Sequence, residues 1–226
     1  MKQLKILITG ACGGLGSSLA MQLAERGANL LLLDKSSREL DALSDQICTQ
    51  VQEAPGICPL DLAKSGPDEF HSLADILRLE YGGLDVIIHC AAAFEGLQPM
   101  DLVSSEQWQE CMHVNVSAAW LITTNCLPLL KAGGKGRVVF IYENKAISRS
   151  AYWGAYGVSK AALRSLGQIL EQELDGSGVQ VIKACPEPMR TALRARAYLA
   201  EDPGTLLDPV LAAGSIIKQL ETSYSR

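Results

Sequence analysis

Tyr156 and Lys160 stand four residues apart in AYGVSKAALRSL. On a helix that spacing puts them on one face, a turn apart. Such a pair can pass a proton to or from a carbonyl or alcohol oxygen. A phenol titrates near pH 10 and is a poor base at neutral pH, but a neighbouring ammonium favours the phenolate and lowers that value. The chemistry also asks for a donor that holds the substrate oxygen. Where a serine would serve, the sequence reads Tyr142-Glu143-Asn144. An ionised Glu143 accepts hydrogen bonds without donating them, and its charge opposes Lys160. Three substitutes are open: a Glu143 kept protonated by burial, the amide of Asn144, or the hydroxyl of Ser148 or Ser150.

A second constellation lies in ITGACGGLGSSLA, where Gly10, Gly14 and Gly16 follow an apolar run and open a helical pattern. Glycines there permit a tight turn, a close approach to a pyrophosphate, and free backbone N–H groups facing its oxygens. Asp34 ends the next apolar run and is placed to accept both hydroxyls of an adenosine ribose and repel a 2′-phosphate. The expected cofactor is therefore NAD(H). Lys35 and Arg38 keep NADP(H) as the alternative.

The elements that must carry these residues alternate. Apolar runs at 4–9, 28–34, 56–61, 84–90, 137–142 and 179–185 read as buried strands. Helical patterns cover 14–26, 37–53, 67–81, 104–131, 155–175 and 208–222. Each strand is followed by a helix, which predicts one α/β domain over 1–226, a doubly wound, Rossmann-like parallel sheet of about six strands. Residues 186–207 form the one long connection and read as a substrate loop.

The chain has 226 residues, 48% of them hydrophobic, a net charge of −5 and a pI near 5.3. That charge gives no support for nucleic acid or an anionic membrane as partner. No apolar run is long enough to span a bilayer, and the opening MKQLKILITG is short for a signal peptide, so a cytoplasmic protein is expected. Seven scattered cysteines without a C-x-x-C pair, and three histidines that do not cluster with them, predict neither metal site nor disulfide framework.

Together these pieces resemble the short-chain dehydrogenase/reductase family over nearly the whole chain. Thr9-Gly10-Ala11-Cys12-Gly13-Gly14-Leu15-Gly16 is similar to its TGxxxGxG loop, Asp61-Leu62 to its adenine contact, and Tyr156 to Lys160 to its Tyr-x-x-x-Lys signature. The resemblance implies that Asn115 supports a proton-relay water, that Lys160 also binds the nicotinamide ribose, and that Thr191 touches the carboxamide. The family's serine falls at Glu143, thirteen residues before Tyr156. Its Asn-Asn-Ala-Gly reads His89-Cys90-Ala91-Ala92, and its Pro-Gly reads Pro186-Glu187. Its seventh strand has no counterpart. The implied activity is an NAD(P)(H)-dependent oxidoreductase acting on a small alcohol or carbonyl. Glu143 and Glu187 disfavour anionic substrates and point to a cationic or polyhydroxyl one. The alternative is a nucleotide-binding protein without turnover, a sensor or assembly partner. In the family, helices equivalent to 104–131 and 155–175 pair across a two-fold axis. SAAWLITTNCLPLL with Ala161, Leu163, Leu166 and Leu170 therefore implies a homodimer.

Overall fold

The computed structural model describes residues 1, 3–144 and 149–225. Six strands, β1 (Lys5–Thr9), β2 (Asn29–Asp34), β3 (Gly56–Pro59), β4 (Val86–His89), β5 (Arg137–Ile141) and β6 (Gln180–Ala184), form one sheet in the order β3-β2-β1-β4-β5-β6. Every pairing is parallel.

Period-two alternation sorts the strand residues onto two faces. Ile6, Ile8, Leu30, Leu32, Val86, Ile88, Val139 and Ala184 point to one core. Leu7, Leu31, Leu33, Ile87, Val138, Phe140 and Val181 point to the other. The first face is covered by α1 (Gly14–Glu25), α2 (Ser37–Cys48) and α8 (Pro209–Tyr224). The second is covered by α3 (Pro67–Leu79), α5 (Ala118–Ala132) and α6 (Gly154–Glu173). Burial on both faces explains why the strands read as unbroken apolar runs.

The predicted helix over 104–131 is not continuous. α4 (Ser105–Met112) and α5 are joined by a π-turn over His113–Ser117. A π-turn inserts a residue and so rotates α4 against α5 about the common axis. Here it lets Asn115 turn inward while Ala118 and Ile122 remain against the sheet. The predicted loop 186–207 also differs from expectation, because it holds a short helix, α7 (Ala192–Ala197), capped by the Thr191 hydroxyl. No helix among the described residues is long and apolar enough to cross a membrane.

Strand order reverses between β1 and β4, which lie side by side although the chain leaves them in opposite directions across the sheet. In doubly wound sheets a crevice opens at the carboxyl ends of such a pair.

Candidate active site

That crevice is a cleft of about 580 Å³ running from the start of α1 to the start of α6. At one end Gly10 has φ +64°, and a Cβ there would lie 2.6 Å from the Ala91 backbone. A Cβ on Gly16 would lie 2.1 Å from the Gly10 carbonyl oxygen. Both positions therefore need glycine for space, and Gly10 needs it for conformation as well. The N-cap of α1 is Gly13, which offers no side-chain cap. The first N–H groups of α1 accordingly face the cleft without an intrahelical partner, a cradle suited to a phosphate. Thr9 lies behind this loop, its hydroxyl accepting from Ala91 N at 3.3 Å.

Asp34 holds the loop from the far side. Its Oδ2 accepts from Cys12 N at 2.9 Å and its Oδ1 from Lys35 N at 2.8 Å. Cys12, Asp34 and Glu39 converge, their ligand atoms within 4.8 Å of one another. Burial, then the charges of Asp34 and Glu39, pushes the Cys12 thiol up to about 12. Lys35 also lines this end, and Asp61 and Leu62 close it.

At the other end α6 is launched by two left-handed residues, Tyr152 at φ 71° and Gly154 at φ 44°. Such backbone in a non-glycine residue is uncommon and clusters at sites. The launch aims Tyr156 and Lys160 into the cleft. Tyr156 donates its hydroxyl proton to Glu143 Oε1 at 2.8 Å, so the thirteen-residue count is realised as a direct contact. Glu143 is in turn fixed through its backbone, since Arg164 donates to its carbonyl at 2.7 Å and lies over the Tyr142 ring at 4.8 Å.

The expected lowering of the Tyr156 pKa is corrected here. Burial first, then the Glu143 charge and the hydrogen bond to it, raise the phenol well above its usual value. Lys160 is itself buried, which lowers its own pKa. Its ammonium donates to the Ile141 carbonyl at 3.2 Å and sits 5.5 Å from the Tyr156 ring centroid. A desolvated cation at that distance does not outweigh a desolvated phenol touching a carboxylate.

Asn115 does not line the cleft. Its Oδ1 accepts from Ala93 N at 2.7 Å, and its Nδ2 donates to Ala93 O at 3.0 Å and to Ser159 Oγ at 2.9 Å. The side chain ties the segment after β4 to α6. Burial pushes the Cys90 thiol up to about 12 against the opposing influence of Lys160, and Cys90 N donates to the Thr9 carbonyl. Asn144 lines the cleft beside Glu143. Ser148 falls outside the described residues. Gly14, Leu15, Ala91, Ala92, Pro186 and Thr191 line the cleft as expected. Thr9 and Asn115, expected at the site from sequence, stand behind its wall.

Sequence reasoning missed the aromatic wall. Phe94 packs against Trp153 at 5.3 Å and edge-on to Tyr156 at 5.0 Å, and Trp153 meets Tyr198 at 6.1 Å. With aromatics only 5% of the chain, the local run of Tyr152, Trp153 and Tyr156 was the available signal. Glu95, Glu110, Arg194 and Arg196 also border the cleft.

With this geometry in place, the likeness to known proteins extends over most of the chain. A family profile described as short chain dehydrogenase matches residues 4–202. The chain is 33% identical over 204 residues to the uncharacterized oxidoreductase YciK of Escherichia coli K12, covering 90% of this chain and 81% of that protein. The crystal structure of the short chain dehydrogenase from Shigella flexneri superposes with a TM-score of 0.88 at 32% identity, over 93% of this chain and 82% of the other. A structure from Escherichia coli CFT073 complexed with NADPH superposes with a TM-score of 0.89 at 32% identity, over 97% and 90%. The profile's span of 4–202 takes in the sheet, the glycine loop and the Tyr-Lys helix, and with a relative 33% identical over nine-tenths of the chain it leaves one conclusion: the protein belongs to the short-chain dehydrogenase/reductase family of oxidoreductases.

Proposed function

We propose that the protein binds a nicotinamide dinucleotide along the cleft and uses it to reduce or oxidise a small polar substrate at a carbon–heteroatom bond beside Tyr156. The observation that carries this reading is the continuity of one cleft from the uncapped start of α1 to the Tyr156–Glu143–Lys160 cluster. The N–H groups of α1 would hold the pyrophosphate, Asp34 and Asp61 the adenosine, and Lys160 and Thr191 the nicotinamide end. When bound, the dinucleotide supplies or accepts a hydride. Where the heteroatom is oxygen, as in an alcohol or carbonyl, Tyr156 handles its proton, and Asn115 positions the walls by bracing Ala93 against α6. Residues 186–207, with α7 and Arg194, form the substrate loop over this end.

The ribose 2′ position divides the expectations. Asp34 and Glu39 favour a free hydroxyl by charge, whereas the NADPH-complexed relative favours a phosphate, for which Lys35 lines this end of the cleft. The preference for NAD(H) drawn from Asp34 is therefore withdrawn, and NAD(P)(H) is the cofactor class proposed.

Fluorescence titration with NADH and NADPH tests the reading. Binding of at least one is expected, weakened in Lys160→Ala; binding of neither refutes it. A second reading, binding without turnover, is favoured by the hydrogen bond that commits the Tyr156 proton to Glu143. Tyr156→Phe decides for an alcohol or carbonyl substrate, abolishing its turnover under the first reading and changing nothing under the second.

A homodimer is part of the proposal. Trp120 on α5 and Val158 and Ile169 on α6 are exposed apolar residues on the two helices. Leu163 and Leu170, expected from sequence to contribute to such a face, belong instead to the core beneath α6.

A further inference from the structure

The place where a carbonyl needs a donor is held by an acceptor. The Glu143 carboxylate lies 2.8 Å from the Tyr156 hydroxyl. A carbonyl oxygen brought to Tyr156 meets a carboxylate oxygen, lone pair against lone pair. A protonated nitrogen in the same place finds a charge-assisted partner.

Lys160 is the opposing cation at this end and is held on the Ile141 carbonyl, but carboxylates outnumber it among the described residues. Glu95, Glu110 and Glu187 line the cleft, and among the described residues neither they nor Glu143 form an ion pair. The arginines on this side are engaged elsewhere. Arg194 is forked onto Glu201 at 2.6 and 2.7 Å, and Arg196 donates to the Phe94 carbonyl at 2.6 Å. Phe94 and Trp153 add aromatic surface, which attracts cations.

On the dinucleotide-dependent reading above, we infer that the bond transformed is carbon–nitrogen: a small protonated imine in the reducing direction and an amine in the other, its N–H held by Glu143. The imine carbon accepts the hydride that a reduced nicotinamide supplies. The C=N π pair becomes the nitrogen lone pair, and the positive charge leaves the substrate for the oxidised ring. The N–H stays on nitrogen, so Glu143 orients the substrate without changing protonation. The amine takes its second proton from solvent after release. Tyr156 keeps the carboxylate aimed. A phenol held protonated is no obstacle, because the imine brings its own proton.

The test uses pairs of equal size. Calorimetry on the protein loaded with NAD(P)+ compares pyrrolidine with cyclopentanol, and turnover with NAD(P)H compares pyrroline with cyclopentanone. Pyrrolidine is expected to bind about tenfold tighter or more, as a charged hydrogen bond implies. That preference should disappear in Glu143→Gln, and Glu143→Ser should shift turnover toward cyclopentanone. Equal binding of the two ring compounds, a preference unchanged in Glu143→Gln, or reduction of cyclopentanone with pyrroline untouched overturns the inference while leaving the redox reading intact. Failure of NADH and NADPH to bind overturns that reading and this one together.

Discussion

Gly10→Ala separates two costs that glycine loops usually confound. The position has φ +64°, and the added Cβ would lie 2.6 Å from Ala91 Cα and N and 2.9 Å from the Cys90 carbonyl carbon. Gly176 supplies the control, with φ +72° and nothing within 4 Å of its Cβ. Placing alanine in left-handed backbone costs about 1–2 kcal/mol, partly offset by the smaller entropy of the unfolded chain, about 0.4–1 kcal/mol. Gly176→Ala should therefore lose about 1 kcal/mol. Gly10→Ala adds an overlap with backbone on β4's exit that no rotamer can relieve, about 1–3 kcal/mol more, for a total near ~2–4 kcal/mol. Urea unfolding followed by tryptophan fluorescence reads the difference, provided the slopes agree. Dinucleotide binding should fall in Gly10→Ala and hold in Gly176→Ala. Equal losses of stability in the two variants would refute the reasoning, since the loop would then be free to swing clear of Ala91.

Three further outcomes are expected. His89 is buried, stacked on Phe140 and bonded to the Thr123 hydroxyl at 2.9 Å, and burial lowers its pKa from 6.5 to about 3. The unfolded chain thus takes up a proton near pH 6.5 that the folded protein refuses until about pH 3, so stability should fall as pH drops through that window. The fall amounts to roughly 4 kcal/mol by about pH 3; denaturation in His89→Gln should lack that component, and an unchanged pH profile would exclude His89 as its source. Glu143→Gln should lower the Tyr156 pKa while leaving it above that of a free phenol, because burial, the larger cause, remains; phenolate absorbance measured against Tyr156→Phe checks this, and no change would place the carboxylate elsewhere in solution. Arg137 is buried, donates to Ser223 O at 2.6 Å and Ser223 Oγ at 2.8 Å, and lies 4.4 Å from the Tyr224 ring centroid. Arg137→Ala should cost about 2–4 kcal/mol and speed amide exchange in the last turn of α8; unchanged exchange there would show that α8 is held by its packing on α1 and the sheet without the Arg137 anchor.

The features legible in the sequence are those that depend on local period and spacing. Runs such as ILIT and NLLLLD can only be strands buried on both faces, and they are found within a residue or two of their expected ends. The glycine loop is legible because its junction with a strand and a helix is a sequential neighbourhood. The count from Tyr156 back to Glu143 also survives, since one strand and one helix fix both residues at the same end of the sheet. Tertiary structure alone decided the rest. The phenol pKa rises rather than falls because desolvation is set by everything packed around Tyr156, Phe94 and Trp153 included, and not by a lysine one turn away. Asn115 faces Ala93 and Ser159 because a π-turn, stabilised by partners 22 and 44 residues distant, rotates it inward. Which apolar residues of α6 are core and which surface depends on where the sheet lies, a long-range fact that the helix's own periodicity leaves undetermined.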